Sequence, residues 1–136
     1  MKQVQILADT CCDLTEEQLN KYGVHTIPLY VTTDDGVFLD GLDMTPDKLF
    51  AYCEKTGKTP GTSAATIGDY LDFFKQYLGQ GKDIIYIGLS EKMSCTVTNA
   101  RMAAEQLSPD HIFVIDSQNL STGIGLLVIK AGKMAE

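Results

Sequence analysis

The chain has 136 residues, 44% of them hydrophobic, and a formal net charge of −7. That length suits one domain with a real core. The negative charge is spread along the chain with no acidic tail, which argues against nucleic acid or an anionic membrane as partner.

No apolar run approaches the ~20 residues that a membrane span needs. The opening Met1-Lys2-Gln3-Val4-Gln5-Ile6-Leu7 reads as a first strand. It lacks the length and cleavage site of a signal peptide, so a cytoplasmic protein is expected. Val4 to Ala8 is a buried-type strand. Asp13-Leu14-Thr15-Glu16 follows as an N-cap with an acidic residue at N3, and the helix runs to about Tyr22 before Gly23. Residues 24–31 read as a second strand in which Pro28 marks a bulge or an edge. Asp34-Asp35-Gly36 is a turn, and Val37-Phe38-Leu39 returns as a hairpin.

Thr45 caps the next helix and Pro46 takes its N1 position, where the missing N–H has no partner to lose. Met44 and Leu49 can form a hydrophobic staple. Gly57 ends this helix and Lys58-Thr59-Pro60-Gly61 is a loop. Thr66-Ile67-Gly68-Asp69 is a capping box, and Ile67, Tyr70, Leu71, Phe74 and Leu78 then fall on one helical face. Residues 84–89 form an apolar strand. The helix after it carries Val97, Ala100, Ala104 and Leu107 on one face, and Pro109-Asp110 ends it. Residues 111–115 are another strand. Ser121-Thr122 opens a last helix with Ile124, Leu127, Val128 and Ala131 inward. The chain stops inside that helix without a cap, which suggests truncation. Strands alternating with helices predict a three-layer α/β/α domain over residues 1–136, with a mainly parallel sheet of about four strands.

In such a fold, ligands sit at the C-terminal edge of the sheet. Two hydroxyl-rich loops, Thr62-Ser63 and Met93-Ser94-Cys95-Thr96, each lead into a helix. They would offer neutral hydroxyls and free N–H groups to a carboxylate or phosphate. Ser and Thr at helix starts are ordinarily caps, which suffices for Thr66. Thr62 lies four residues ahead of that cap and is spare. Ser94 has further polar neighbours in Ser90, Glu91 and Thr96.

Other chemistries fit less well. Serine hydrolysis at Ser90 or Ser94 needs a histidine base, and His25 and His111 both begin strands, at the opposite edge. Asp9 and Asp116 end the first and last strands and could hold Mg²⁺ for phosphoryl transfer. No Walker-type G-x-x-x-x-G-K-[ST] accompanies them, and Gly123-Ile124-Gly125 is a weak signal beside close helix–strand packing. The plainer role for both aspartates is to accept loop N–H groups. Cys11, Cys12, Cys53 and Cys95 match no zinc spacing, so neither metal nor cofactor is expected. Adjacent Cys11-Cys12 could form a vicinal disulfide, or a metal or redox site; the plainer reading is four free thiols in a reducing compartment. Cys95, at a helix N-terminus, could be reactive.

Several segments together resemble the DegV family of bacterial fatty-acid-binding proteins. They are Ala8-Asp9-Thr10-Cys11-Cys12-Asp13-Leu14, Ile27-Pro28-Leu29, Asp40-Gly41-Leu42-Asp43-Met44, Thr62-Ser63, residues 89–96 (Leu-Ser-Glu-Lys-Met-Ser-Cys-Thr) and Val114-Ile115-Asp116-Ser117. Their order and spacing span nearly the whole chain. The resemblance implies a non-enzymatic carrier that holds a long-chain fatty acid by its carboxylate for phosphorylation by a fatty acid kinase. It places the family's two carboxylate-binding hydroxyls on Thr62 and Ser94, with Ser63, Cys95 and Thr96 nearby. The chain departs from the family pattern at Cys95, where glycine is usual, and at Val97, where an aromatic is usual. It departs again at Cys11, where serine is usual, and at Ala64 and Ala65, which replace a polar residue and a proline. The resemblance also implies that only the first of two domains is here, so half of the ligand enclosure is missing. Two further readings stay open: a metal-dependent enzyme of small phosphorylated or hydroxylated substrates using Asp9 and Asp116, and a truncated domain with no ligand of its own, whose uncovered face could drive dimerisation.

Overall fold

Alternating apolar side chains build the frame. In β1 (Val4–Asp9), Leu7 faces one layer of the core while Ile6 and Ala8 face the other. Residues Asp83–Gly88 repeat the pattern, with Ile84 and Tyr86 on the first side and Ile85 and Ile87 on the second. The computed structural model describes residues 3–136. Met1 and Lys2, which open the expected N-terminal strand, lie outside the described residues.

The elements follow in chain order. After β1 come a 3₁₀ turn (Thr10–Cys12), α1 (Glu16–Lys21), β2 (His25–Ile27), β3 (Tyr30–Thr33) and β4 (Gly36–Leu39). Then come α2 (Pro46–Thr56), β5 (Gly61–Ser63), α3 (Ile67–Leu78), β6 (Asp83–Gly88), α4 (Thr96–Leu107), β7 (Ile112–Asp116) and α5 (Thr122–Ala135). Four strands form a parallel sheet in the order β2-β1-β6-β7. Helices α3 and α4 cover the face with Leu7, Ile84, Tyr86 and Ile112; Tyr70, Phe74, Ala100 and Ala103 are their buried contributions. Helix α5 packs on the other face with Ile124 and Val128 against Ile6, Ala8 and Ile87, and Leu19 of α1 joins it. This is the expected three-layer α/β arrangement. Phe113 and Ile115 of edge strand β7 remain about half exposed.

Several local expectations are corrected. The first helix is capped by Thr15, not Asp13: Thr15 and Gln18 form the reciprocal box, while Asp13 is left-handed at φ 50° and closes the 3₁₀ turn. Residues 24–31 are not one strand. Pro28 cannot donate to a ladder, and there the chain leaves the parallel sheet: β2 pairs with β1, whereas β3 belongs to a second, antiparallel sheet in the order β4-β3-β5. The β3–β4 hairpin is as expected. Gly61, expected in a loop, begins β5. Thr62 and Ser63 do not lead directly into a helix; they are the rest of that strand, with Thr62 opposite Val31 and Ser63 opposite Tyr30. Leu127, expected inward, is exposed, because α5 faces the sheet through Ile124 and Val128. Gly125 packs on a turn rather than a strand: a Cβ there would lie 2.6 Å from the Cys12 carbonyl oxygen and 2.9 Å from Leu14 Cδ2.

The caps at Thr45 and Thr66 form as expected, each hydroxyl accepting an N3 N–H; Thr66 and Asp69 complete a capping box. Gly57 ends α2 at φ 66°. None of the helices among the described residues is long and apolar enough to cross a membrane.

Candidate functional site

Parallel registry sets the C-terminal edge of the main sheet. Asp9 pairs with Ile27, Ala8 with Ile87, and Gly88 with Asp116, so the last residues of all four strands lie level. Beyond β6, residues 89–95 turn back into α4. The Ser90 carbonyl accepts from Met93 N–H (2.9 Å) and Ser94 N–H (3.1 Å), which rounds the turn. Asp116 Oδ1 accepts from Glu91 N–H (3.2 Å) and Gln118 N–H (3.0 Å), which holds the turn to the end of β7.

Ser94 sits half-buried at the mouth of α4. The N-cap residue Cys95 makes no side-chain cap, so Ser94 serves the helix instead: its Oγ accepts from Thr96 N–H at 3.2 Å and lies 2.9 Å from Thr96 Oγ1. Cys95 is exposed and Thr96 is fully buried. Thr62 and Ser63 are exposed on β5. Among the described residues, no hydrogen bond is made by either side-chain hydroxyl. Asn99, in the first turn of α4, donates from Nδ2 to the Ala65 carbonyl at 2.9 Å. This bond ties the segment after β5 to the helix that Ser94 opens. Thr62 is three residues from Ala65, and so within about 10 Å of that junction along the chain. Ser94, Cys95 and Thr96 thus form one cluster, with Thr62 and Ser63 on a neighbouring strand.

Beneath the sheet edge, Tyr70, Tyr86 and Asp9 form a buried polar line that sequence reasoning missed. Tyr70 and Tyr86 hydroxyls lie 2.8 Å apart. Tyr86 donates to Asp9 Oδ2 at 3.3 Å. Asp9 is completely buried, and it also accepts Leu89 N–H (2.8 Å) and Cys11 N–H (2.9 Å). Burial raises its carboxyl above its ordinary value; the two N–H groups and Tyr86 pull the other way. Burial likewise lifts the Tyr70 phenol, and Tyr86 well above the usual tyrosine value. Two tyrosines on apolar faces, each with a polar tip needing a partner, were a signal; the identity of the partner was not. Gly88 has a steric reason in the same place, since a Cβ there would meet the Tyr86 ring at 2.8 Å and Val97 Cγ2 at 2.9 Å.

The remaining candidates fall elsewhere. Asp9 accepts a backbone N–H at each carboxylate oxygen, and Asp116 accepts two at Oδ1. Among the described residues no group of three or more His, Cys, Asp or Glu is placed to hold a metal. His111 Nδ1 is 2.8 Å from Asp83 Oδ1 at the far edge of the sheet, whereas His25, expected there too, lies level with Leu7 because β2 is short, and stacks on Tyr77 with ring centroids 5.1 Å apart. All four cysteines are free thiols. Burial, then Asp9, Asp40, Asp13 and Cys12, push the Cys11 thiol up to about 12. A cleft of about 510 Å³ opens between the turn after β1, α1 and residues 40–46; it is lined by Thr10, Leu14, Leu19, Pro28 and Leu42, among others, and not by the hydroxyl cluster.

This architecture has close counterparts. A DegV domain-containing protein of Clostridium perfringens is 32% identical over 136 residues, covering 100% of this chain and 49% of the relative. A DegV family protein of Thermus thermophilus, described as binding fatty acid, superposes with a TM-score of 0.89 at 26% identity, over 97% of this chain and 47% of that one. A stearic-acid-binding protein of Eubacterium ventriosum gives 0.89 at 29% identity, over 98% and 47%. The chain therefore spans about half the length of these proteins. With residues 3–136 matching the DegV family and the same parallel sheet recurring in its solved members, this chain belongs to the DegV family.

Proposed function

We propose that this domain binds a long-chain fatty acid by its carboxylate, and that the full-length protein presents that carboxylate to a fatty acid kinase. Thr62 and Ser94 hold the headgroup; Ser63 and Cys95 lie beside it, and buried Thr96 backs Ser94. The observation that carries this reading is the state of the two hydroxyls. Thr62 is exposed with no protein partner among the described residues, on a segment that Asn99 fastens to the helix mouth where Ser94 sits. A free hydroxyl at Thr62 beside a helix N-terminus suits an anion. The relatives' fatty-acid binding supports the choice of anion.

The domain acts as a carrier in this reading, not an enzyme. Both edge carboxylates accept backbone N–H groups, His111 pairs with Asp83 at the opposite edge, and His25 stacks on Tyr77. Affinity and orientation come from different parts of the ligand. Burying an acyl chain contributes ~0.8 kcal/mol per CH₂, so a long tail supplies about 10 kcal/mol. A hydrogen bond to a charged headgroup contributes ~1.5–3 kcal/mol. The tail supplies the larger share of retention; the two hydroxyls supply the rest and set the position of the reacting oxygen.

The test is native mass spectrometry of protein purified from bacteria, followed by solvent extraction and lipid analysis. A stoichiometric fatty acid that disappears in the Thr62→Ala/Ser94→Ala double variant supports the reading. A stoichiometric lipid retained at full occupancy by that variant refutes the assignment of these hydroxyls. In a full-length version, either single variant should slow delivery to the kinase more than it loosens lipid retention; equal loss of both would contradict that division of labour.

A further inference from the structure

We propose that the cleft between the turn after β1, α1 and residues 40–46 docks a basic segment of a partner protein, in which an arginine or lysine is flanked by apolar side chains. The cleft encloses about 510 Å³. Leu14, Leu19, Pro28 and Leu42 give it apolar walls, and Asp13, Glu16 and Asp40 give it three carboxylates. No lysine, arginine or histidine is among the described residues that line it.

The protein does not neutralise these carboxylates. Among the described residues, ion pairs join Lys58 to Asp34, Arg101 to Glu91 and His111 to Asp83, none of them at the cleft. Asp40 Oδ2 accepts the Thr10 hydroxyl at 2.5 Å, and Asp13 Oδ2 accepts the Ser121 hydroxyl at 2.6 Å. These neutral donors fix the two carboxylates and leave their charge in place. The Glu16 carboxylate has no hydrogen-bonding or ionic partner among the described residues. Lysines of the adjoining helices are engaged elsewhere: Lys21 Nζ lies 5.5 Å from the Tyr22 ring centroid, and Lys48 donates to the Asp43 carbonyl at 2.9 Å.

That combination selects its occupant. A fatty acid headgroup would meet three like charges. A wholly apolar segment would take water from the carboxylates and give nothing back. An arginine or lysine instead lays its methylene stem along the leucines and keeps its charged head at a carboxylate. Apolar neighbours on the same segment then cover Leu42, which is 66% exposed. Thr10 follows β1 and Pro28 follows β2, so the cleft opens at the C-terminal edge of the main sheet. There Asp9 accepts both the Cys11 N–H at 2.9 Å and the Leu89 N–H at 2.8 Å. One buried carboxylate thus anchors the turn that walls the cleft and the turn that carries Ser94. A partner seated in the cleft stands at the same sheet edge as the proposed headgroup hydroxyls.

The experiment titrates ¹⁵N-labelled protein, without fatty acid, with the end-blocked peptide Leu-Arg-Leu-Arg-Leu and follows the amide shifts. Shifts should saturate below about 5 mM peptide, as suits so small a contact, and concentrate on residues 10–19 and 40–46. The peptide Leu-Glu-Leu-Glu-Leu should leave those residues unmoved. Raising salt from about 20 mM to about 300 mM should weaken binding several-fold. Glu16→Lys should weaken it about fivefold and Leu42→Ser about threefold; both positions are exposed, so both variants should melt as the parent does. Shifts that do not saturate or fall elsewhere, equal binding of the acidic peptide, or undiminished binding by both variants overturns the proposal. Shifts in the cleft on diluting the protein alone would make its occupant a second copy of this chain, and shifts there with dodecanoate would make it an acyl tail; either overturns it as well. The titration needs no fatty acid, so its failure and the failure of the fatty-acid reading are separate results.

Discussion

Replacing the two headgroup hydroxyls one at a time should separate binding from folding. Thr62 is exposed and its hydroxyl touches no protein group among the described residues, so Thr62→Ala should change stability by no more than ~0.5 kcal/mol. Ser94 has two structural duties: its Oγ accepts Thr96 N–H at 3.2 Å and contacts the fully buried Thr96 hydroxyl at 2.9 Å. Losing a helix-mouth acceptor costs about 1 kcal/mol, and a buried hydroxyl left with one partner fewer brings the total to ~1–2 kcal/mol. Both variants lose a bond to a charged headgroup, worth ~1.5–3 kcal/mol, and should bind fatty acid about 10- to 150-fold more weakly. Urea unfolding and a fluorescent fatty-acid displacement assay read the two effects. The Ser94→Ala midpoint should drop by about 0.5 M or more, and that of Thr62→Ala should stay. The reasoning fails if Thr62→Ala unfolds as readily as Ser94→Ala, or if both bind as the parent does.

Three further outcomes follow from buried groups. Gly125→Ala puts a Cβ 2.6 Å from the Cys12 carbonyl, a backbone atom that cannot rotate away; overpacking of ~1–3 kcal/mol should lower Tm by roughly 3–10 °C. Gly68→Ala, whose nearest contact is Thr66 Oγ1 at 3.7 Å, should hold or raise Tm, and the opposite order in calorimetry would refute the packing argument. The folded state holds the Asp9 proton to higher pH than the unfolded chain does, because burial raises that carboxyl. Its contribution to stability is therefore complete below the unfolded value near 3.8 and is lost as pH rises through the folded one. The stability difference between wild type and Asp9→Asn should shrink over that window; parallel denaturation curves at each pH would exclude the linkage. Finally, a thiol reagent at pH 8 should modify exposed Cys95 ahead of Cys11, whose thiol burial pushes up to about 12, and ahead of buried Cys12. Peptide mass spectrometry that finds Cys11 or Cys12 labelled as fast as Cys95 would count against the burial of that turn.

Local chemistry made much of the frame legible in the sequence. Alternating and 3.6-residue apolar periods identify β1, β6, α3 and α4, and the Thr45 and Thr66 caps need only residues three positions away. The hydroxyls of residues 94–96 were legible as well, since a strand followed by a helix brings them to the sheet edge whatever the rest of the chain does. Other features depended on partners distant in sequence. Thr62 and Ser63 form a strand because β3 lies alongside them, opposite Val31 and Tyr30. Pro28 could be read as an interruption, but the move from one sheet to another depends on which strands are neighbours in space. Asp9 could be placed at a strand end. Its burial and its link through Tyr86 to Tyr70 exist only because β1, α3 and β6 pack together, joining groups as far apart in sequence as Tyr86 and Asp9. Periodicity reports which face of an element is buried; only the packed structure decides which polar tips meet inside it, because each must find a hydrogen-bonding partner once water is excluded.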